Sequence, residues 1–171
     1  CDDGNQISGD GCSADCLTIE HGWECNVEAC QLSTCAERCG NNLVSSGEAC
    51  DDGNAASGDG CSRQCSVECG WTCNDEEPSA CFTSCGDSKL AGEETCDDGN
   101  QVNDDGCSAA CSVEDGYTCT ESGSCGTSTC DTICGDGYRA GSEQCDDGNV
   151  ASGDGCSDSC IVEHGYTCTG G

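Results

Sequence analysis

The sequence predicts a small disulfide-rich fold: a tandem array of units of about 48 residues with short β-hairpins, single helical turns and no large core. A stretch that begins Cys-Asp-Asp-Gly-Asn and ends Asp-Gly-Cys occurs four times, and successive copies start 49, 46 and 49 residues apart. The 171 residues include 25 cysteines, and only 4% of them are aromatic. Units of this size cannot bury enough apolar surface in a core alone, so disulfides are expected to hold them.

The four copies set the expected domain organisation. We expect a partial repeat at 1–34, repeats at 35–80 and 81–129, and a C-terminally truncated repeat at 130–171. Because the sequence starts and stops within a repeat, it has the character of a segment of a longer protein. No signal peptide and no apolar run of membrane-spanning length is present.

Cysteine at this density is typical of disulfide scaffolds, which form in an oxidising compartment. The alternative is zinc or thiolate binding, but zinc favours Cys-x2-Cys pairs and histidine partners. Here three residues separate the close pairs, and the chain has two histidines. A complete unit should form three bridges within itself, although the sequence does not choose among the 15 pairings that six cysteines allow. In the third repeat these frame cysteines are Cys81, Cys85, Cys96, Cys107, Cys111 and Cys119.

Three cysteines, Cys30, Cys69 and Cys125, lie outside this frame. The second unit contains Cys69 but lacks the connector cysteine of the first and third units. We therefore predict that Cys69 bonds a connector cysteine of an adjacent unit, either Cys30 or Cys125, and locks neighbouring units together. The odd total leaves at least one cysteine without a partner in this sequence, and a bridge to another chain or to missing sequence is the alternative for that cysteine.

The net charge of −30 excludes one class of partner. There are 34 acidic residues against Arg38, Arg63, Lys89 and Arg139. Such a surface repels phosphate backbones and anionic membranes, so the sequence predicts neither nucleic-acid binding nor membrane insertion. Divalent cations or a basic partner would be attracted instead.

Along the chain, the first element is an acidic loop from Asp2 to Gly11, whose Gly, Asn and Asp residues favour turns. The segment from Cys12 to Cys16 follows, with Ser13 directly after the first cysteine. Because serine is a favoured helix N-cap, a single helical turn is predicted slightly ahead of the alternative, an irregular turn.

The next segment, Ile19 to Cys25, combines a β-branched residue, a glutamate, a glycine and an aromatic residue, and it predicts a short strand with a tight turn. One aromatic residue per unit is expected to cover a disulfide, with sugar stacking as the alternative. These aromatic residues are Trp23, Trp71, Tyr117 and Tyr166.

Variable connectors rich in Ser, Thr, Glu and Gly come between the units. Each is followed by a second close cysteine pair and a glycine-flanked stretch, such as the one from Gly40 to Glu48. We predict a short hairpin arm there, leading into the next acidic loop. The glutamate near its end recurs as Glu48, Glu94 and Glu143.

Three stretches of the last copy carry a resemblance to a known family: Cys134 to Asn149, Gly153 to Cys156 and Glu163 to Cys168. The sequence resembles the Myxococcus-type cysteine-rich disulfide repeat over almost its whole length. Such repeats are similar to modules of secreted and surface proteins of myxobacteria, ciliates and algae, including mastigoneme-like proteins. The resemblance implies a scaffold role at the cell surface and no catalytic residues. The first copy departs from the pattern because it lacks the leading cysteine pair and has one extra residue between Cys16 and Cys25.

The acidic loop is the candidate site. Calcium binds six to eight hard oxygen ligands, often on loops with a glycine at a sharp turn, and the loop has that composition without the spacing of an EF-hand. The alternative is that Asp and Asn simply form turns and solvate the surface. The residues at fixed offsets are Asp2, Asp3, Asn5 and Asp10; Asp51, Asp52, Asn54 and Asp59; Asp97, Asp98, Asn100 and Asp105; and Asp146, Asp147, Asn149 and Asp154.

Catalysis is not expected. His21 and His164 stand where the other copies have Cys69 and Asp115, so histidine is not a required part of the unit. Without an apolar pocket nothing would raise a carboxyl pKa for acid catalysis.

Two classes of function remain. One is an extracellular structural array in a surface filament, appendage or matrix, associated with copies of itself or neighbouring repeats. The other is a ligand- or protein-binding spacer of a secreted receptor, adhesin or protease, with glycans among its candidate ligands. A binding module should show one copy with a distinct exposed aromatic or basic patch, and the sequence shows none.

Overall fold

The computed structural model describes residues 1–26, 31–45 and 47–168. Its regular elements are six short strands: β1 (Trp23–Asn26), β2 (Thr34–Glu37), β3 (Trp71–Cys73), β4 (Cys81–Thr83), β5 (Tyr117–Glu121) and β6 (Ser128–Thr132). They pair in sequence order as three antiparallel hairpins. The predicted fold class, with small disulfide-rich repeats, short hairpins and no large core, is confirmed.

Each hairpin is closed by a disulfide between directly opposite residues. Cys73 lies opposite Cys81, and their Cα atoms are 4.0 Å apart. Cys25–Cys35 and Cys119–Cys130 have the same arrangement. Since a hairpin on its own is marginally stable in water, the covalent bond between its strands offsets the missing core.

The expected confinement of three bridges to one unit is partly wrong. Cys85–Cys111 and Cys96–Cys107 form within the third repeat, as predicted. Cys81 instead bonds Cys73 of the preceding repeat, and Cys119 bonds Cys130 of the following one. The reason is that the connector forms the hairpin turn, so the hairpin strands come from two successive repeats.

The core consists of cysteine side chains in separate clusters. One contains the buried Cys50, Cys61 and Cys65, and partly buried cysteines pack against it. Two further clusters repeat this arrangement around Cys96 and Cys145. The chain divides into two compact units, Cys1–Thr83 and Ser84–Gly171. Among the described residues, no helix has the length and apolar character needed to span a bilayer.

The predicted single helical turns are absent from the described part of the chain. The segment from Ser62 to Cys65 is a tight turn in which the Cys65 amide donates to the Ser62 carbonyl at 2.8 Å. Cys65 has a φ of +50°, outside the right-handed helical region. The isolated bridge between Cys61 and Val67 and the Cys39–Cys65 disulfide hold this conformation, so the chain reverses instead of continuing a helix.

The predicted hairpin arms are also wrong. The described residues between Gly40 and Glu48 form turns without strand pairing. The backbone N–H groups of Gly40, Asn41 and Asn42 point to a carboxylate and are not available to a strand partner.

Candidate functional site

The acidic loop is closed at both ends by covalent bonds. Cys50–Cys61 joins the first and last residues of the second copy, and the same bond recurs as Cys96–Cys107 and Cys145–Cys156. A second bond, Cys39–Cys65, joins the segment before the loop to the turn that follows the loop. The carboxylates of the loop are therefore held close together in the absence of any ion.

The first aspartate of the loop is buried inside a ring of backbone donors. Asp51 is 0% exposed. Its Oδ2 accepts the N–H groups of Gly40 at 2.8 Å and Asn41 at 3.0 Å, and its Oδ1 accepts those of Asn42 at 3.0 Å and Gly53 at 2.8 Å. Four N–H donors stabilise the buried negative charge without a cation.

Two further copies repeat this arrangement to different degrees. Asp97 is 0% exposed and accepts four N–H groups. Asp146 is half-buried, and although burial raises its pKa, the N–H donors of Gly148, Gly135 and Gly137 lower the pKa below its ordinary value overall. Asp2 is exposed, and among the described residues its side chain accepts only the Gly4 amide, at 3.0 Å. The structure thus gives this position a role in holding the backbone of the repeat.

A buried serine docks the following hairpin onto the same aspartate. The Ser79 amide donates to the Asp51 carbonyl at 2.6 Å, and the Asp51 amide donates to the Ser79 Oγ at 3.2 Å. Ser33 and Ser128 make the same pair of bonds with Asp2 and Asp97. These serines are 5–7% exposed. Their sequence context predicts connectors, but a serine stands two residues before each hairpin cysteine, and this spacing is a signal of the docking.

The second aspartate and the last aspartate of the loop face each other across the asparagine. In the first copy the Asn5 Nδ2 donates to the Asp10 Oδ2 at 2.9 Å, and the Asn5 amide donates to the Asp3 Oδ1 at 3.2 Å. The Asn5 Oδ1 is already occupied, because it accepts the Ile7 amide at 2.6 Å. The asparagine therefore acts as a neutral donor between two carboxylates.

The other copies keep the bond from the asparagine side chain to the last aspartate of the loop. The asparagine Nδ2 donates to the last aspartate of the loop at 3.0 Å in Asn54–Asp59, 3.1 Å in Asn100–Asp105 and 3.3 Å in Asn149–Asp154. In the third copy, Asn100 also donates to the Asp98 Oδ2, at 3.0 Å. One amide group thus bridges both carboxylates there.

The two carboxylates that face each other across the asparagine are not fully compensated by hydrogen bonds. The Asp3 Oδ2 and the Asp10 Oδ1 are buried atoms without a hydrogen-bond partner in the described structure. In the second copy, burial raises the pKa of Asp52, and the negative charge of Asp59 raises it further, partly opposed by hydrogen bonds from Asn54. Both observations indicate two negative charges held close together, with too few hydrogen-bond donors to compensate for their repulsion.

A glutamate from beyond the loop accepts the loop's backbone N–H groups. The Glu68 Oε2 accepts Gly58 N–H at 2.7 Å and Gly60 N–H at 3.0 Å. In the first copy, Glu20 accepts three such groups, from Gly9, Asp10 and Gly11. Glu114 and Glu163 do the same in the last two copies. The local sequence places this glutamate in a strand motif and does not predict the contact, although the glutamate recurs in all four copies.

The glutamates just before the acidic loops (Glu48, Glu94 and Glu143) accept backbone N–H groups of the turns that precede them. The Glu48 Oε2 accepts the Ser45 amide at 2.8 Å, and the Glu94 and Glu143 Oε2 atoms accept the amides of Ala91 and Ala140. Their carboxylates approach the first aspartate in two copies, in the groups Cys39, Glu48, Asp51, Cys65 and Glu94, Asp97, Cys111. The sulfur atoms in these groups belong to disulfides, so they are not thiolate ligands. Every sulfur in the other two groups of the described chain is also oxidised.

The aromatic residue packs beside the hairpin disulfide in three units, as predicted for Trp23, Trp71 and Tyr117. The prediction does not hold for Tyr166, which is 49% exposed, because Cys168 has no disulfide among the described residues. A Cβ atom built on Gly60 would meet both the Cys81 side chain and the Trp71 ring. Gly106 lies in the same way between Cys130 and Tyr117. Glycine is required at this position because ring, disulfide and loop backbone meet there with a φ of +114°.

Two aromatic side chains that differ between copies are exposed. Phe82 is 52% exposed on β4, where the other hairpins have Ala36 and Asp131. Tyr138 is 55% exposed at a turn position occupied elsewhere by Leu43 and Lys89. The sequence pattern did not reveal these two exposed rings, because the exposure of a side chain depends on how the folded chain packs around it.

These features define a class of protein: a disulfide-rich tandem repeat whose carboxylates are held mainly by backbone donors. A family model described as Domain of unknown function (DUF4215) matches residues 16–66, 63–112 and 114–161. The chain belongs to this family of cysteine-rich repeats. No curated protein and no solved structure matches the chain.

Proposed function

We propose that this chain is part of an extracellular structural array, a component of a surface filament, appendage or matrix in which repeats associate with their neighbours or with other copies of the chain. The observation that carries the proposal is the joining of successive repeats. A hairpin built from two repeats is closed by its own disulfide, and Asp51 connects the turn before its loop to Ser79 after it. Repetition of such joints supports length without a common core.

The disulfides support the proposed extracellular location. At least ten disulfides lie within the described residues, and such bonds persist in oxidising environments. The finer resemblance to Myxococcus-type repeats supports the same location, at the cell surface or outside it.

Imaging of the native particle tests the structural role. A filament or matrix with an axial repeat is the expected result, and a discrete secreted particle would contradict it. Small-angle scattering of the isolated chain gives a second test. A compact globule of 171 residues would have a radius of gyration of about 16 Å. An extended array should clearly exceed that value.

A binding spacer is the second candidate, and the exposed Phe82 and Tyr138 favour it. An exposed aromatic ring stacks well on a sugar or a partner side chain. A glycan array probed with the wild-type chain and with Phe82→Ala and Tyr138→Ala variants tests this function. Selective binding that is lost in either variant would support it, and equal signals from all three proteins would contradict it.

We also propose that the acidic loops bind calcium. The residues that fit are the facing carboxylates, because Asp3 and Asp10 each keep a buried oxygen without a partner. The first aspartate and the asparagine fit less well, since N–H donors already occupy their oxygens. The resulting ligand pairs are Asp3 with Asp10, Asp52 with Asp59, Asp98 with Asp105, and Asp147 with Asp154. Bound calcium would neutralise the repulsion within each pair.

Calorimetric titration of chelator-treated protein near neutral pH tests calcium binding, with a dissociation constant of about 0.1 to 1 mM expected for an extracellular module. The variant Asp3→Asn, Asp52→Asn, Asp98→Asn, Asp147→Asn should lose at least tenfold in affinity. The control Asp75→Asn, Glu76→Gln, Glu77→Gln, Glu121→Gln removes four exposed charges outside the loops and should bind as the wild type does. Equal loss in both variants would show that only general charge attracts the ion.

A further inference from the structure

We propose that the glutamate beyond each loop (Glu20, Glu68, Glu114 and Glu163) is a positioning residue that presets the acidic loop for a cation. The inference rests on the proposed calcium binding and adds a residue that is not itself a ligand. Its carboxylate faces the backbone of the loop, whereas the proposed ligand pair faces the asparagine.

The first argument is the way the glutamate holds the loop from two sides. Glu68 accepts the N–H groups of Gly58 and Gly60, and these two glycines flank Asp59. On the other side of the same residue, the Asp59 Oδ2 accepts the Asn54 Nδ2 at 3.0 Å. Bonds on both sides therefore fix the orientation of Asp59.

The second argument is the need for such a constraint. Gly58 has a φ of +99° and Gly60 a φ of +114°, and glycine populates many alternative conformations in an unconstrained chain. A carboxylate between two glycines would lose much of its conformational freedom on binding an ion, and that loss would weaken affinity. A loop that is already held avoids this cost.

The third argument is that the glutamate is itself fixed. The Glu68 amide donates to the Gly60 carbonyl at 2.9 Å, and the Trp71 amide donates to the Glu68 carbonyl at 3.1 Å. The adjacent Val67 forms the isolated bridge with Cys61, which is bonded to Cys50. A rigid backbone thus carries the carboxylate, and all four copies share the contact.

Two substitutions of Glu68 distinguish the effect of where its side chain reaches from the effect of its negative charge. Glu68→Gln keeps the length of the side chain and one acceptor oxygen but removes the charge. Glu68→Asp keeps the charge but shortens the side chain by one methylene, so its carboxylate no longer reaches Gly58 and Gly60. The three other loops of the same chain serve as internal controls.

The test is a calcium titration of the full chain followed by nuclear magnetic resonance, with one affinity obtained for each loop from its own amide signals. We expect Glu68→Gln to retain the affinity of its loop within about threefold and to keep the Gly58 and Gly60 amide shifts. We expect Glu68→Asp to lose at least tenfold in that loop alone, with all disulfides intact by mass spectrometry.

Other outcomes overturn the inference. If Glu68→Gln loses as much affinity as Glu68→Asp, the residue acts through its charge or as a ligand. If Glu68→Asp binds as the wild type does, the contact does not position the loop. If the wild-type chain binds no calcium in any loop, the proposed calcium binding itself is overturned. The wild-type titration shows this result before any variant is compared.

Discussion

Asp97 shows how a carboxylate can be buried in a chain with a net charge of −30. It is fully buried, and four backbone N–H groups occupy its two oxygens. Its own amide and carbonyl bind Ser128 of the next hairpin. One residue thus combines charge compensation with the joining of two segments, which explains why aspartate recurs at this position.

We predict that Asp97→Asn destabilises its repeat by about 2 to 3 kcal/mol, because charge-assisted hydrogen bonds are lost and the new Nδ2 donor faces N–H groups. Chemical denaturation under non-reducing conditions measures the effect. Asp2→Asn is the matched control, since Asp2 is exposed and its side chain accepts a single amide. It should change stability by no more than about 0.5 kcal/mol. Equal effects from both substitutions would contradict the role assigned to the buried carboxylate.

The pH dependence of the glutamate contact has a definite sign. The N–H of Gly9 is the largest cause of the lowered pKa of Glu20, with further lowering from Gly11 and Asp10 and an opposing effect of burial. Because the folded-state pKa is the lower one, the contact stabilises the loop above the unfolded-state pKa of about 4.3. That stabilisation is lost as the pH falls through the folded-state value.

A carbon-detected titration of the Glu20 carboxyl group should therefore show a midpoint below the ordinary glutamate value. The amide signals of Gly9 and Gly11 should move with the same midpoint, since they donate to this carboxylate. A midpoint at or above the ordinary value would mean that the contact does not persist in solution.

The hairpin and its disulfide depend on one glycine of the acidic loop. Gly60 leaves space for both the Cys81 side chain and the Trp71 ring. Gly58, two residues earlier, has a similar positive φ but nothing within 4 Å of a built Cβ. A comparison of substitutions at Gly58 and Gly60 therefore distinguishes the cost of steric clash from the cost of backbone strain.

We predict that Gly58→Ala costs about 1 kcal/mol through backbone strain alone. Gly60→Ala should cost at least about 2 kcal/mol more, because the new methyl group displaces the ring or the disulfide. Denaturation midpoints measured by tryptophan fluorescence compare the two variants, and a red shift of the Trp71 emission is expected only for Gly60→Ala. Similar costs without a spectral shift would contradict the packing of ring against loop.

Across the chain, hairpins formed from successive repeats make the disulfide pattern continuous from one repeat to the next. Cys16 and Cys168 hold no disulfide among the described residues. Cys69 and Cys125 are both disulfide-bonded. Cys30 lies outside the described residues, so the bond from Cys69 to Cys30 or Cys125 remains a prediction from the sequence.

Peptide mapping under non-reducing conditions tests this prediction at the level of the whole molecule. We expect a linked peptide that contains Cys69 and one of these two connector cysteines. The frame bonds Cys73–Cys81 and Cys85–Cys111 serve as internal controls in the same digest. Detection of Cys69 as a free thiol would contradict the predicted lock between units.

The sequence by itself determined the class of this protein. Four copies of one cysteine frame, with few aromatic residues, indicate that disulfides stabilise units of this size, and that indication is independent of conformation. The aromatic residue beside each hairpin disulfide was also predictable, because each unit has one large ring available to cover it.

Only the tertiary structure decided how the polar groups are paired. The periodicity of the motif cannot show that the first aspartate binds the turn of residues 40–42, since a contact across ten residues leaves no local pattern. The same holds for Glu68, Ser79 and the exposure of Phe82. Local sequence determines which residues can turn or cross-link, whereas hydrogen-bond partners and burial depend on segments that meet only after the chain has folded.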